Sequence, residues 1–247
     1  MRNPRLFTDQ SLTPGDQVVL EGAIAQHLGR VLRARAGERI VLFNGDGREF
    51  AAQVLTVSKR EITVDIGAAF TPQTESLVHT TLGLCLSKGD RFDWAIQKAT
   101  ELGVGAIAPL YSERVDFSIP PDRIEKRVAH WQQIAISACE QCGRVKVPSI
   151  TPPQSLAVWV ESASAEQKWL LHCTEDTDVS ASAVTQGAPR DAALLIGPEG
   201  GLTDQEFNVA SAKGFQLLQL GPRVLRTETA PAAALSVLSV FWEEMPS

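Results

Sequence analysis

No stretch of this 247-residue chain approaches the roughly 18 consecutive apolar residues that a bilayer-spanning helix needs, and the opening MRNPRLFTDQ lacks the apolar core of a secretory signal. A membrane protein and a secreted one are set aside, and a soluble cytoplasmic protein is expected. Cysteine is scarce: Cys85, Cys139, Cys142 and Cys173 are all there are. Their single CxxC lies in a strongly helical segment, with no second CxxC and no HxxxH to complete a zinc tetrahedron. Reduced thiols packed on a helix are expected there, and no metal is assigned. Also missing are GxxxxGKS/T and GxGxxG, which removes the usual sequence support for an ATP or dinucleotide site.

A basic excess is absent as well, since 23 Lys and Arg against 29 Asp and Glu give a net charge of −6. Phosphate binding normally calls for a basic field, but the average hides an asymmetry. Residues 1–72 carry 9 basic against 8 acidic side chains, and residues 73–247 carry 14 against 21. In the first part Arg30, Arg33, Arg35 and Arg39 fall within ten residues, with Arg2 and Arg5 at the terminus. A nucleic-acid docking patch and ordinary solvated charge both fit that cluster.

What is present divides the chain in two. From residue 17 to 66 the pattern is short strands, with a helix predicted over 23–34 that carries His27 and the arginines. Asn44-Gly45-Asp46-Gly47 between two β-rich runs is a hairpin signal, and 60–66 reads as a further strand. A β-barrel domain over 1–72 is the expected closure. Residues 67–78 have a linker's composition. From 73 to 247 the grammar becomes α/β: HTTLGLCL, GAIAPL, KWLLH, DAALLIG and FQLLQLG are apolar runs suited to buried parallel strands. Asp122 with Glu125, and Thr203 with Glu206, have capping-box spacing, and a last helix is predicted from Thr229 with Pro231 in its first turn.

Ligands of open α/β sheets gather beyond the carboxyl ends of the strands, and two loops there stand out. Ile196-Gly197-Pro198-Glu199-Gly200-Gly201-Leu202 holds three glycines in five residues, removing Cβ atoms where backbone must bend or approach a ligand. Its acidic residue suits a cationic ligand or proton transfer, not phosphate. Leu220-Gly221-Pro222-Arg223-Val224-Leu225-Arg226-Thr227-Glu228-Thr229-Ala230 brings two arginines and a glutamate to a helix N-terminus. A tight strand-to-helix connection and a surface salt-bridge cluster are the bland alternatives.

Together IGPEGGL and LGPRVLRTETA resemble the SPOUT superfamily of knotted methyltransferases, and specifically the bacterial small-subunit ribosomal RNA methyltransferase E family, which methylates N3 of a uridine in 16S rRNA. HLGRVLRARAGE at 27–38, LSKGDRFDWAIQKATELGV at 86–104 and SACEQCGRVKVP at 137–148 extend the resemblance over nearly the whole chain. It implies a C-terminal α/β domain with a trefoil knot, a PUA-like β-barrel docking RNA, S-adenosyl-L-methionine held among three knot loops, and a homodimer. On this reading the cofactor meets Leu171, His172, Ile196 through Gly201, Leu220, Gly221, Leu225, Arg226, Thr229 and Ala230, the third knot loop falling near 172–175. Arg2, Arg5, Arg30, Arg33, Arg35 and Arg144 hold RNA of the small ribosomal subunit.

N3 of uracil carries an imide proton at neutral pH, so its methylation needs a base and a stabiliser for the resulting anion. Arg226 fits the second role, and either Glu199 or Glu228 the first. Two alternatives stay open: a SPOUT enzyme acting on a ribose 2′-hydroxyl or another base, and an RNA-binding ribosome-assembly factor without catalysis. Asp90 and Gly103 are read as the cap and C′ residues of one helix, and His27 and His130 as packed or surface side chains.

Overall fold

The computed structural model describes residues 3–172 and 187–242. Two compact units emerge: residues 1–75 with 139–147, and residues 76–138 with 148–247.

The first unit is built on β1 (Arg5–Phe7), β2 (Gln17–Glu21), β3 (Arg39–Phe43), β4 (Glu49–Val57) and β5 (Glu61–Phe70), hydrogen-bonded in the order β1-β3-β4-β5-β2. β1 runs parallel to β3, and the other ladders are antiparallel. The predicted hairpin joins β3 to β4. Period-two burial then assembles the core: Phe50, Ala52 and Val54 of β4 point inward with Ile62, Val64 and Ile66 of β5, against Leu20, Leu28 and Leu42. Each Val, Leu, Ile or Phe among them contributes about 1.5 to 3 kcal/mol by leaving water.

Two expectations need correction here. β5 runs to Phe70, which pairs with Glu49, so the first four residues of the supposed linker are strand. Gly67 permits this, since a Cβ there would stand 3.1 Å from the Ala51 carbonyl oxygen. The predicted helix over 23–34 is shorter: α1 (Gly22–Gln26) passes into a π-helical turn at His27–Val31, and Arg33 then takes left-handed backbone, φ 54°. Leu28 stays buried while Arg30, Arg33 and Arg35 are exposed.

The return of residues 139–147 consumes two of the arginines assigned to RNA. Arg5, only 9% exposed, pairs with Glu49 at 3.1 Å and donates to the carbonyl oxygens of Cys139 (2.8 Å) and Gly143 (3.1 Å). Arg144, 5% exposed, donates through Nε and Nη2 to one Glu75 oxygen, while the other accepts from the backbone N–H groups of Val145 and Lys146. Both guanidiniums are internal clasps, out of reach of a phosphate. Cys139 packs with Phe43 and Val145, and burial pushes its thiol up to about 12. Arg2 lies outside the described residues.

The second unit is a parallel sheet of β6 (His79–Cys85), β7 (Ala106–Tyr111), β8 (Ser149–Ile150), β9 (Gln154–Ser155), β10 (Gln167–Leu171), β11 (Asp191–Ile196) and β12 (Gln216–Leu218). Its order is β12-β10-β11-β6-β7-β8, with β9 also on β7. The apolar runs become nearly continuous buried strands, as coverage of both faces requires. Helices α2 (Arg91–Glu101), α3 (Pro121–Cys142), α4 (Leu156–Ser162), α5 (Asp204–Ala212) and α6 (Thr229–Phe241) accompany it, the last turn of α3 lying in the first unit. Gly83 of β6 lets Trp159 of α4 lie flat on the sheet, since a Cβ there would come within 2.6 Å of the indole.

Capping follows the sequence in part. Thr203 and Glu206 form the full reciprocal box, and Gly103 follows the C-cap of α2 with φ 90°. Asp122, however, sits inside the first turn of α3, which starts at Pro121, so it acts on the helix dipole and not as an N-cap. Asp90 occupies the N-cap position of α2 without a side-chain capping bond.

Candidate functional site

The strand order puts three carboxyl ends at one level. β11 is inserted between β10 and β6, and Leu171 of β10 is in register with Ile196 of β11 on one side and Leu218 of β12 on the other. The chain leaves these ends into the glycine loop and the arginine loop, and a cavity of about 650 Å³ opens between them. Residues 171–172, 196–202, 218–221, 223–228 and 230 line it, with Arg91 and Arg114. Leu171, His172, Ile196, Gly197, Pro198, Glu199, Gly200, Gly201, Leu220, Gly221, Leu225, Arg226 and Ala230 are thereby brought together, along with Glu228. Thr229 is not part of the lining: it opens α6, its N–H donating to the Arg226 carbonyl at 2.8 Å. The remainder of the third predicted loop, from Cys173, lies outside the described residues.

The glycine loop is held from both ends. The Pro198 carbonyl accepts from the Gly201 N–H at 2.9 Å, closing a turn in which Gly201 has φ 70°. Beyond it Glu206, 8% exposed, accepts from the Thr203 N–H and, through its other oxygen, from the Glu113 N–H, each at 2.9 Å. That carboxylate fastens the segment after β7 to the start of α5. Arg114, from the same segment, donates to the Gly200 carbonyl at 2.7 Å. A Cβ on Gly200 would stand 3.3 Å from the Arg114 side chain, and one on Gly197 would stand 3.1 Å from Leu202.

Two carboxylates meet the cavity in different states. Glu199 is engaged by Arg91 at 2.9 Å, both side chains about half exposed. Glu228 keeps only 16% of its side chain exposed, lies 3.9 Å from the mostly exposed Arg226, and has its Oε2 buried with no hydrogen-bond partner. A buried, unpartnered carboxylate oxygen is costly, which sets Glu228 apart from the satisfied Glu199. His172 is held below the usual histidine range, chiefly by burial and then by the Arg114 cation, with Asp204 opposing.

Sequence reading missed Arg91 and Arg114 as cavity residues. The only available signal for Arg114 was its place just past the carboxyl end of the GAIAPL strand, the position searched in the other loops. Among the described residues no group of three or more His, Cys, Asp or Glu could hold a metal ion, and no helix is long and apolar enough to cross a membrane.

An all-parallel sheet with a glycine- and arginine-lined cavity at its carboxyl edge, following a small β domain, defines a class that comparison makes specific. Residues 74–239 match the family described as RNA methyltransferase domain, and residues 20–67 the RNA methyltransferase PUA domain. The Bacillus subtilis Ribosomal RNA small subunit methyltransferase E is 31% identical over 94% of this chain and 93% of its own. The same enzyme from Neisseria gonorrhoeae, solved bound to S-adenosyl methionine, is 38% identical, with a TM-score of 0.85 and 98% of each chain covered. A Legionella pneumophila methyltransferase solved with the same cofactor is 40% identical, with a TM-score of 0.90 over 97% of this chain and 98% of that one. The chain belongs to the ribosomal RNA small subunit methyltransferase E family.

Proposed function

We infer that this protein is an S-adenosyl-L-methionine-dependent methyltransferase that modifies N3 of a uridine in 16S ribosomal RNA of the small subunit. The observation that carries the reading is the cavity beyond β10, β11 and β12, in a chain whose full-length relatives are solved with that cofactor in place. Its residues fit the group. About 650 Å³ suits a nucleoside-sized ligand, bare backbone at Gly197 and Gly200 stands where a Cβ would crowd its neighbours, and Arg223 offers a cation for a carboxylate. When bound, the cofactor supplies a sulfonium methyl that needs little activation.

The work left to the protein is to align the acceptor and make it nucleophilic. Glu228 takes the imide proton, and Arg226, 3.9 Å from that carboxylate, stabilises the charge that spreads onto O2 and O4. Glu199, tied to Arg91, shapes the glycine loop. Exposed Arg30, Arg33 and Arg35, none with a carboxylate partner among the described residues, give the first unit its RNA-docking face. A homodimer and a cytoplasmic location belong to the same reading, as does the knot. Trp94 on α2 and Val240 on α6, two helices in mutual contact, leave apolar surface for a second copy.

The test is transfer of labelled methyl from the donor to small ribosomal subunits isolated from a strain lacking the gene, followed by nucleoside analysis. N3-methyluridine in 16S rRNA is the expected product. A 2′-O-methyl nucleoside would move the acceptor to the ribose, and no transfer despite cofactor binding would favour an assembly factor.

A further inference from the structure

A second hollow in the methyltransferase unit, about 820 Å³, lies between the segment Phe117–Pro120 and the first turns of α3. Its lining is apolar from Phe117, Ile119 and Pro120 and cationic from Arg123, Lys126 and Arg127. Those three fall at i, i+3 and i+4, one face of the helix; Glu125 falls on another, and Asp122, four residues before Lys126, makes no ion pair with it among the described residues. All three are exposed, and none pairs with a carboxylate among the described residues. The neighbouring polar groups are different: Lys88 is neutralised by Asp116 at 2.6 Å, and the His130 ring is hydrogen-bonded to Asp93 at 2.8 Å. Three unneutralised cations on one helix face are unexpected in the half of the chain that holds 14 basic against 21 acidic residues.

We propose that this hollow is a second RNA subsite, holding the backbone of a single-stranded segment that flanks the nucleotide being methylated. The proposal rests on RNA being the substrate. Its position follows from one segment serving both hollows: Arg114 donates to the Gly200 carbonyl in the first, and Phe117 to Pro120 line the second. Lys88 lies over the Phe117 ring at 6.0 Å, and Arg91, three residues on, holds Glu199. Cations beside an apolar lining with an aromatic ring match a single strand, whose phosphates meet charge and whose bases stack, better than a duplex, whose base faces are already stacked on one another.

The test is the triple variant Arg123→Ala, Lys126→Ala, Arg127→Ala, assayed on the same subunits across salt concentrations. The three positions are exposed, so unchanged melting and cofactor affinity serve as controls for folding. Each lost phosphate contact to a single strand lowers the log-log salt slope by about 0.7, so between 50 and 200 mM salt the variant's affinity should vary by a factor about 20 times smaller than the parent's. KM for subunits should rise at low salt, with the rate at saturation unchanged. Phe117→Leu should raise KM while leaving the slope alone. A parent that methylates subunits beside a triple variant of identical KM and slope would overturn the subsite and leave the activity standing. A parent that methylates no RNA would remove both. Loss of a dimer in sedimentation of the triple variant would also overturn it, making the hollow a contact between copies.

Discussion

The cavity has two acid–arginine pairs, and they are built for different work. Arg91 and Glu199 meet at 2.9 Å across 108 positions of sequence, in a contact that closes on itself. Arg226 and Glu228, two residues apart, stand at 3.9 Å, with the guanidinium largely in solvent and one carboxylate oxygen buried and unsatisfied. Composition makes the pairs equivalent. Geometry separates them, and on the proposed function the first is a fastening and the second the pair that acts on the substrate.

The sharpest way to break that contrast is Glu228→Gln. The amide keeps the shape and loses the base, so single-turnover methylation with both substrates saturating should fall by roughly a hundred- to ten-thousandfold. The residual rate should climb as pH rises and the uracil ionises unaided. Arg226→Lys comes next. A guanidinium offers two parallel hydrogen bonds to the uracil anion that an ammonium does not, and loss of such a preorganised donor typically costs about a hundred- to a thousandfold. Near-normal turnover in the lysine variant would transfer the role to Arg223.

Glu199→Gln should do far less. It breaks a half-exposed ion pair, worth at most about 1 kcal/mol, so calorimetric cofactor affinity should weaken by no more than about fivefold, with the chemical step kept. If this variant, and not Glu228→Gln, abolished the chemical step, the assignments of the two carboxylates would be exchanged.

Much of this site was legible because it depends on local signals. Glycine spacing in 197–201 and the Gly-Pro-Arg run after β12 mark backbone that must bend beside a ligand, and apolar runs locate the strand ends that deliver them. The arginines were not legible in the same way. Arg5 and Arg144 read as basic surface, yet each is buried on a carboxylate 44 or 69 positions away, and Arg114 reaches Gly200 across 86. No window of sequence contains both partners, so charge alone cannot separate a clasp from a contact. The return of 139–147 to the first unit is hidden for the same reason, since a helix continues through the boundary without any change in composition.

His172 gives the smallest and most selective probe, because it lies on the Arg114 side of the cavity. Burial, then the Arg114 cation, lowers its affinity for a proton in the folded protein. The unfolded chain binds that proton near 6.5, the ordinary histidine value, so above this pH the residue makes no difference to stability. As the pH falls below it, the unfolded state takes up the proton first, and folding stability declines until the folded value is passed. His172→Asn removes this contribution, so its melting temperature should drop less than the parent's between pH 8 and pH 5.5. The folded protein resists that proton because it would form beside Arg114, so the parent's cofactor affinity should change less over the same interval than its stability does. Equal acid sensitivity in the two proteins would show that the histidine is solvated as an ordinary surface residue, and the glycine-loop side of the cavity would then be more open than the packing of His172 on Phe207, ring centroids 5.2 Å apart, requires.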